Sequence, residues 1–426
     1  MKDDKHIFKS RFVRDSGTLL LGSVVAQGVA FLAYLLLARL FTPDDFGLYS
    51  VFYSYIEVLI ILSTCKYELS IVVAESDIEA RNIAQGTLRL NAVVSGLMLA
   101  VAGVLALTGS QLSTLCAPLY LLIPFMVFFC GTTRVYIFLL NRHKQYRYIA
   151  VSEILTSLSG VAAKILFGVL NTIVALFHSL GLPLGTILGK MASNVYLHRM
   201  AKRCSAPANA QFSIALFKKY KNFPLYVMPK EFVSSFSANM PLFLLAFWFD
   251  NALLGLYSLA LTFTQRPVNI LANVFEKVFY ASCSEKVRDR LPIRHDIRRF
   301  LLVLNAVAIP LALLGFFFAE PVFTFLFGEK WIGTGYYVRC LIPWLLVVLS
   351  VNSLTFVANI FGTQRVDFIL QLVQLVLRVV ALLIGIVQAD YRLAILLFCL
   401  ASTAVQLCQL AWYLLQIFRY QKNITQ

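Results

Sequence analysis

The sequence predicts an all-α polytopic membrane protein with about twelve transmembrane helices, and three observations carry that prediction. The 426 residues are 59% hydrophobic and 14% charged, with a mean hydropathy of +0.77, which is far more apolar than the core of a water-soluble globule requires. Apolar runs recur from end to end, and each has the roughly 20 residues needed to cross about 30 Å of hydrocarbon at 1.5 Å per residue. The segments of about ten alternating residues that a β-barrel would show are absent.

The predicted spans are 17–40, 46–72, 87–108, 115–140, 148–170 and 173–197, then 223–249, 252–280, 299–319, 335–360, 366–388 and 392–418. The first follows a basic leader (Lys2, Lys5, Lys9, Arg11, Arg14) but is too long for a signal-peptide core and lacks a cleavage site, so it is expected to remain as a helix. Short loops rich in Lys and Arg stay in the cytoplasm. Alternate loops and both termini carry 24 such residues, against Lys330 and Arg392 on the other side, which predicts cytoplasmic ends. The net charge of +16 is therefore a surface facing anionic lipid and implies no nucleic-acid partner. The eight Cys are scattered, with neither a CxxC nor a Cys/His spacing, so neither a metal site nor a cofactor is expected. The longest outer loop is expected at about 320–334.

The halves repeat. At an offset of 208, Leu35 to Ser50 (LLLARLFTPDDFGLYS) matches Phe243 to Ser258 (FLLAFWFDNALLGLYS) at eight of sixteen positions. Six spans separate the copies, so two parallel six-helix lobes are predicted: 1–200 and 223–426, joined by a basic cytoplasmic linker at 201–222.

Polar residues form stripes on the repeated spans. At 100° per residue, Ser50, Ser54, Glu57, Thr64 and Glu68 share one face of the second span, and Ser258, Thr262, Gln265, Asn269, Asn273 and Glu276 share a similar face of the eighth, with Arg266 on its flank. The two faces are expected to line a shared interior. Ser and Thr also serve as interhelical glue, whereas a charge held inside a membrane belongs to a cavity, a relay or a pair. The seventh span adds Lys230, Ser234 and Ser237, with Pro224 and Pro229 expected to bend its start. Asp367, Gln371, Gln374 and Arg378 lie on the eleventh, and Lys164 and Lys190 on the fifth and sixth. Basic residues near span ends, such as Arg39, Arg89, Arg134 and Arg339, are accounted for by snorkelling to headgroups. Gly181, Gly185, Gly189 and Ser193 form a packing ridge, and Asp44-Asp45 a turn beside Pro43.

LARLFTPDDFGLYS (37–50), KYELSIVVAESDIEARNIA (66–84), NFPLYVMPKEFVSSFSANMPLFLLAFWFDNALLGLYSLA (222–260) and FGEKWIGTGYYVR (327–339) resemble the bacterial polysaccharide-biosynthesis flippases of O-antigen, capsule and exopolysaccharide pathways, within the multidrug/oligosaccharidyl-lipid/polysaccharide export superfamily. The resemblance implies two lobes around a central cavity that opens alternately to either side of the inner membrane. It implies a transporter rather than an enzyme, a polyprenyl-pyrophosphate-linked glycan as substrate, and a polysaccharide polymerase and glycosyltransferases as partners beside the membrane lipids. No catalytic residue is expected. Lys230, Arg266, Lys164, Arg378, Ser234, Ser237, Gln265, Asn269 and Asn273 are the expected substrate contacts, and Glu57, Glu68 and Glu276 the cavity or coupling carboxylates. A cation-coupled multidrug exporter, whose cationic cargo favours an acidic cavity, is the alternative; a membrane-embedded polymerase or ligase would show a large outer loop. Gln265-Arg266-Pro267 departs from the apolar residue expected before that proline.

Overall fold

The computed structural model describes residues 27–29, 31–107, 119–171, 179–204 and 214–425, and every regular element among them is helical. Two compact units emerge, Met1–Ser235 and Phe236–Gln426. Among the described residues each of the twelve predicted spans meets a helix; part of the first span, with residue 108 of the third, residues 115–118 of the fourth and 173–178 of the sixth, lies outside them.

In the first unit, α1 (residues 31–40) leads to α2 (Pro43–Thr64), α3 (Ser70–Val73), α4 (Asp77–Leu107), α5 (Leu119–Arg142), α6 (Tyr146–Asn171), α7 (Gly181–Cys204) and α8 (Ile214–Lys219). The Asp44-Asp45 pair is a helix start rather than a separate turn. Thr42 caps α2, its hydroxyl accepting from the Asp45 amide while the Asp45 carboxylate accepts from the Thr42 amide at 2.8 Å, with Pro43 in the first helical turn.

The predicted second span is not one helix. It stops at Thr64, Cys65 and Lys66 take left-handed φ values of 45° and 60°, and a 3₁₀ turn (Tyr67–Leu69) leads into α3. Around the break, Ser63 and Thr64 donate back to the Ile60 carbonyl and Cys65 to that of Leu62. Such back-bonding competes with the helix ladder. Each left-handed non-glycine residue costs on the order of 1 kcal/mol, so tertiary contacts must hold the break. One of them is Tyr67, whose hydroxyl donates to the Phe217 carbonyl at 3.2 Å; further on, Arg142 donates to the carbonyls of Ile71, Val72 and Ala74 and to the Asp77 carboxylate at 2.9 Å, satisfying the end of α3.

Helix α5 is clamped from two sides by asparagines. Asn91 of α4 donates to the Phe128 carbonyl at 2.9 Å and the Thr132 hydroxyl at 3.3 Å; Asn194 of α7 donates to the Phe129 carbonyl at 2.9 Å and the Thr133 hydroxyl at 3.0 Å. The glycine ridge of α7 lies against α6: a Cβ on Gly189 would stand 2.7 Å from the Thr156 carbonyl oxygen and 2.8 Å from Gly160 Cα.

A π-helical turn (Phe223–Val227), with Pro224 in it, starts the seventh span where proline was expected to bend it, and continues into α9 (Met228–Trp248). There follow α10 (Asn251–Arg288), α11 (Arg294–Phe327), α12 (Thr334–Asn352), α13 (Phe356–Ile360), α14 (Gln364–Val387) and α15 (Tyr391–Thr425). The expected outer loop at 320–334 is mostly helical. Helix α11 continues to Phe327, and the Glu320 carboxylate accepts from the Gly333 amide at 2.5 Å to close the short connection. At the other end of the second unit, Ile293, Ile297, Leu354, Phe356, Val357, Tyr413 and Ile417 form an apolar core.

Eight described helical stretches are long and apolar enough to cross a membrane; α7, α9 and α10 are of spanning length but are not among them. Lys190, Lys230 and the polar face of α10 lower their hydropathy, and that polarity marks the helices on which function is to be sought.

Candidate functional site: polar groups inside each unit

In the first unit, Lys164 is held by a relay. An ammonium only donates, and Lys164 Nζ donates to Tyr49 Oη at 3.2 Å while lying 4.8 Å from the centroid of the same ring. Thr186 spends its hydroxyl proton on the Leu182 carbonyl at 2.9 Å, so Tyr49 donates to Thr186 Oγ1 at 3.0 Å. Gly185 makes room, since a Cβ there would overlap the Lys164 side chain and approach its backbone nitrogen to 2.8 Å. The cation is half-buried between α2, α6 and α7.

A second group gathers at the break after α2. Glu68, 1% exposed, lies 4.0 Å from Arg134, with its Oε2 buried and unbonded. Lys66, nearly as buried, lies 3.7 Å from the more exposed Glu231 of α9. Four residues further along α9, Ser235 donates to the backbone carbonyl of Glu57 at 3.3 Å. Met228 and Phe232 pack against an apolar cluster that α2 and α5 share, with Phe52, Ile56, Ile60, Leu119, Met126 and Val127 in it. Lys230 and Ser234 ride on this stretch; Lys230 is half-buried and has no ion-pair partner among the described residues. Glu57 itself is exposed.

In the second unit the buried cation is Arg378, 5% exposed. Its Nε donates to Ser402 Oγ at 2.8 Å and its Nη1 to Ser237 Oγ at 3.0 Å, and the guanidinium carbon lies 4.9 Å from the Phe398 ring centroid and 5.4 Å from that of Trp344. Hydroxyls and aromatic faces thus solvate the charge, with no carboxylate in ion-pair distance among the described residues. A separate network buries Asp367, which accepts from Gln409 Nε2 at 2.6 Å and Tyr413 Oη at 2.7 Å. Glu276 of α10 accepts from the Thr355 hydroxyl at 2.6 Å.

The predicted residues therefore fall into three settings. Ser237 and Arg378 meet directly inside the second unit. Lys164 stands in its tyrosine relay, apart from Glu68. Gln265 and Asn269 are half-buried along α10 and Arg266 is exposed there; the side chain of Asn273 lies outside the described residues. The stripe hydroxyls satisfy themselves: Ser50, Ser54 and Ser258 donate to the carbonyls of Gly47, Val51 and Gly255. Glu68 stands beyond a helix break, whereas its repeat partner Glu276 lies on an uninterrupted helix. The Glu68–Arg134 and Lys66–Glu231 pairings were not legible in the stripes; the polar run Ser63-Thr64-Cys65-Lys66 inside an apolar span was the signal for the break.

This helical architecture is shared with solved transporters. It aligns with the lipid II flippase MurJ in an inward closed conformation (TM-score 0.72, 11% identity, 95% of this chain and 90% of that one). It also aligns with the inward-facing conformation of a multidrug resistance MATE family transporter of the MOP superfamily (0.64, 14%, 94% and 99%), and with a MOP superfamily transporter from Pyrococcus furiosus whose structure is described by a binding pocket of reversed polarity (0.55, 15%, 96% and 96%). No curated protein matches the sequence. The fold is one that multi-pass membrane transporters share. Residues 36–336 match the model of the polysaccharide biosynthesis protein family, and the chain belongs to that family.

Proposed function

We propose that this protein flips polyprenyl-pyrophosphate-linked oligosaccharide units from the cytoplasmic to the outer leaflet of a bacterial inner membrane for surface polysaccharide assembly, with both termini cytoplasmic and two six-helix lobes, 1–200 and 223–426, joined by the cytoplasmic basic linker 201–222. The observation that carries the reading is the set of cations kept inside membrane-spanning helices, Lys164 in its relay above all. A cationic wall suits a pyrophosphate and repels the cationic cargo of many drug exporters. Lys230, Arg266, Lys164, Gln265, Asn269, Asn273 and Ser234 supply contacts to pyrophosphate and sugars; Arg378 with Ser237 fixes the charge of the second unit; Glu57, Glu68 and Glu276 serve coupling or sugar hydrogen bonds. A polymerase and glycosyltransferases are the expected partners.

The test replaces Arg266 with Ala at normal protein abundance. Surface polysaccharide is expected to disappear while lipid-linked repeat units accumulate in the inner leaflet. Wild-type polysaccharide removes Arg266 from the path, and resistance conferred on an exporter-deficient strain turns the reading towards drug export.

A further inference from the structure

A cavity of about 190 Å³ opens in the first unit between the ends of α4, α5 and α7, apart from the relay and the break described above. Arg81, His198 and Lys202 stand in its wall and no carboxylate does. Of the acids on the neighbouring turns, Asp77 is hydrogen-bonded to Arg142 at 2.9 Å and also feels the charge of Arg81, while Glu75 and Glu79 pair with Lys219 at 2.9 and 2.8 Å. The Tyr136 hydroxyl lies 2.8 Å from His198 Nδ1; in the tautomer in which the hydroxyl donates, the ring proton is on Nε2 and the neutral ring offers a donor.

The wall is graded. Arg81 and Lys202 sit near the ends of their helices, while Leu88, two turns further along α4, and Leu139 line the same cavity. Below it, Leu188, Met191 and Val195 continue the face of α7 that carries His198 and Lys202, at alternating spacings of three and four residues. These three side chains are 38%, 43% and 49% exposed. A cationic mouth above a continuous exposed apolar stripe matches an anion that carries hydrocarbon tails, rather than a free one.

We infer that this cavity binds the phosphate headgroup of an anionic membrane phospholipid, with its acyl chains along the α7 stripe. Arg81 and Lys202 supply the charge and His198 a directed hydrogen bond. The site is independent of the proposed transport path, so it stands or falls separately from the flippase reading.

The full-length protein in nanodiscs of phosphatidylethanolamine, alone or mixed with phosphatidylglycerol, tests this by native mass spectrometry of retained lipid. The wild type is expected to retain one phosphatidylglycerol in preference to phosphatidylethanolamine. Each cation near an anionic surface contributes about fivefold in affinity, so Arg81→Gln with Lys202→Gln is expected to weaken retention by about 25-fold. His198→Gln, a milder change, weakens it less and guards against misfolding of the double variant. Equal retention of the two lipids by the wild type, or unchanged retention in the double variant, overturns the assignment. So does thermal stabilisation by inorganic phosphate equal to that by phosphatidylglycerol, which marks a free-anion site, and so does displacement by a polyprenyl pyrophosphate, which marks a substrate entry point.

Discussion

Arg378 and Ser402 are joined by a 2.8 Å hydrogen bond from guanidinium Nε to the hydroxyl, inside the second unit. A bond to a charged group contributes about 1.5–3 kcal/mol when its partner is buried. Ser402→Ala is expected to lower unfolding stability by that amount. In an Arg378→Met background the same change should cost less than about 0.5 kcal/mol, because the charge that made the hydroxyl necessary is gone. Thermal unfolding of the four proteins of this cycle measures the coupling, and additive effects would refute it.

Gly189→Ala pushes a methyl group into the backbone of α6, where neither partner is a flexible side chain. A loss of about 1–3 kcal/mol follows from such overpacking. Gly96, with nothing within 4 Å of its would-be Cβ, is the control: Gly96→Ala is expected to be neutral or to stabilise by up to about 1 kcal/mol. Melting temperatures of the two variants in detergent should move in opposite directions or differ clearly in size.

Tyr49→Phe removes the link between Lys164 and Thr186 while keeping the ring beneath the ammonium. Protein abundance should hold and export of the lipid-linked glycan should fall, with Lys164→Gln falling further. Equal export by Tyr49→Phe and wild type would leave the relay a packing device only.

Arg134→Leu strands the Glu68 carboxylate. Breaking a fully buried pair costs about 3–5 kcal/mol; Arg134 is 36% exposed and the separation is 4.0 Å, so about 2 kcal/mol is expected. Adding Glu68→Gln should recover most of it, as read by denaturant or thermal unfolding. A double variant no better than Arg134→Leu would show that the two charges do not interact.

The helices were legible because hydropathy in a membrane protein reports length and environment together, and eleven later spans met helices at the expected places. What local pattern could not supply was the fate of each polar residue. Ser50, Ser54 and Ser258 look like cavity hydroxyls on a helical wheel, yet a serine can always turn back to its own helix. Arg378 looks like a ligand for anions, yet Ser237, Ser402, Trp344 and Phe398, all on other helices and one of them 141 residues away, close over it. The break at Cys65-Lys66 runs against backbone preference, and contacts distant in sequence hold the segment that follows it, Tyr67 on the Phe217 carbonyl and Arg142 on the carbonyls of Ile71, Val72 and Ala74.

The enclosed guanidinium of Arg378 gives the second unit an electrical property. Arginine keeps its proton at any physiological pH, so the unit carries a permanent charge fixed to α14 within the membrane's field. A full traverse of one charge through 100 mV is worth about 2.3 kcal/mol. Any rearrangement that displaces α14 along the membrane normal is therefore coupled to the membrane potential in proportion to the distance moved, without a bound ion and without a change of protonation.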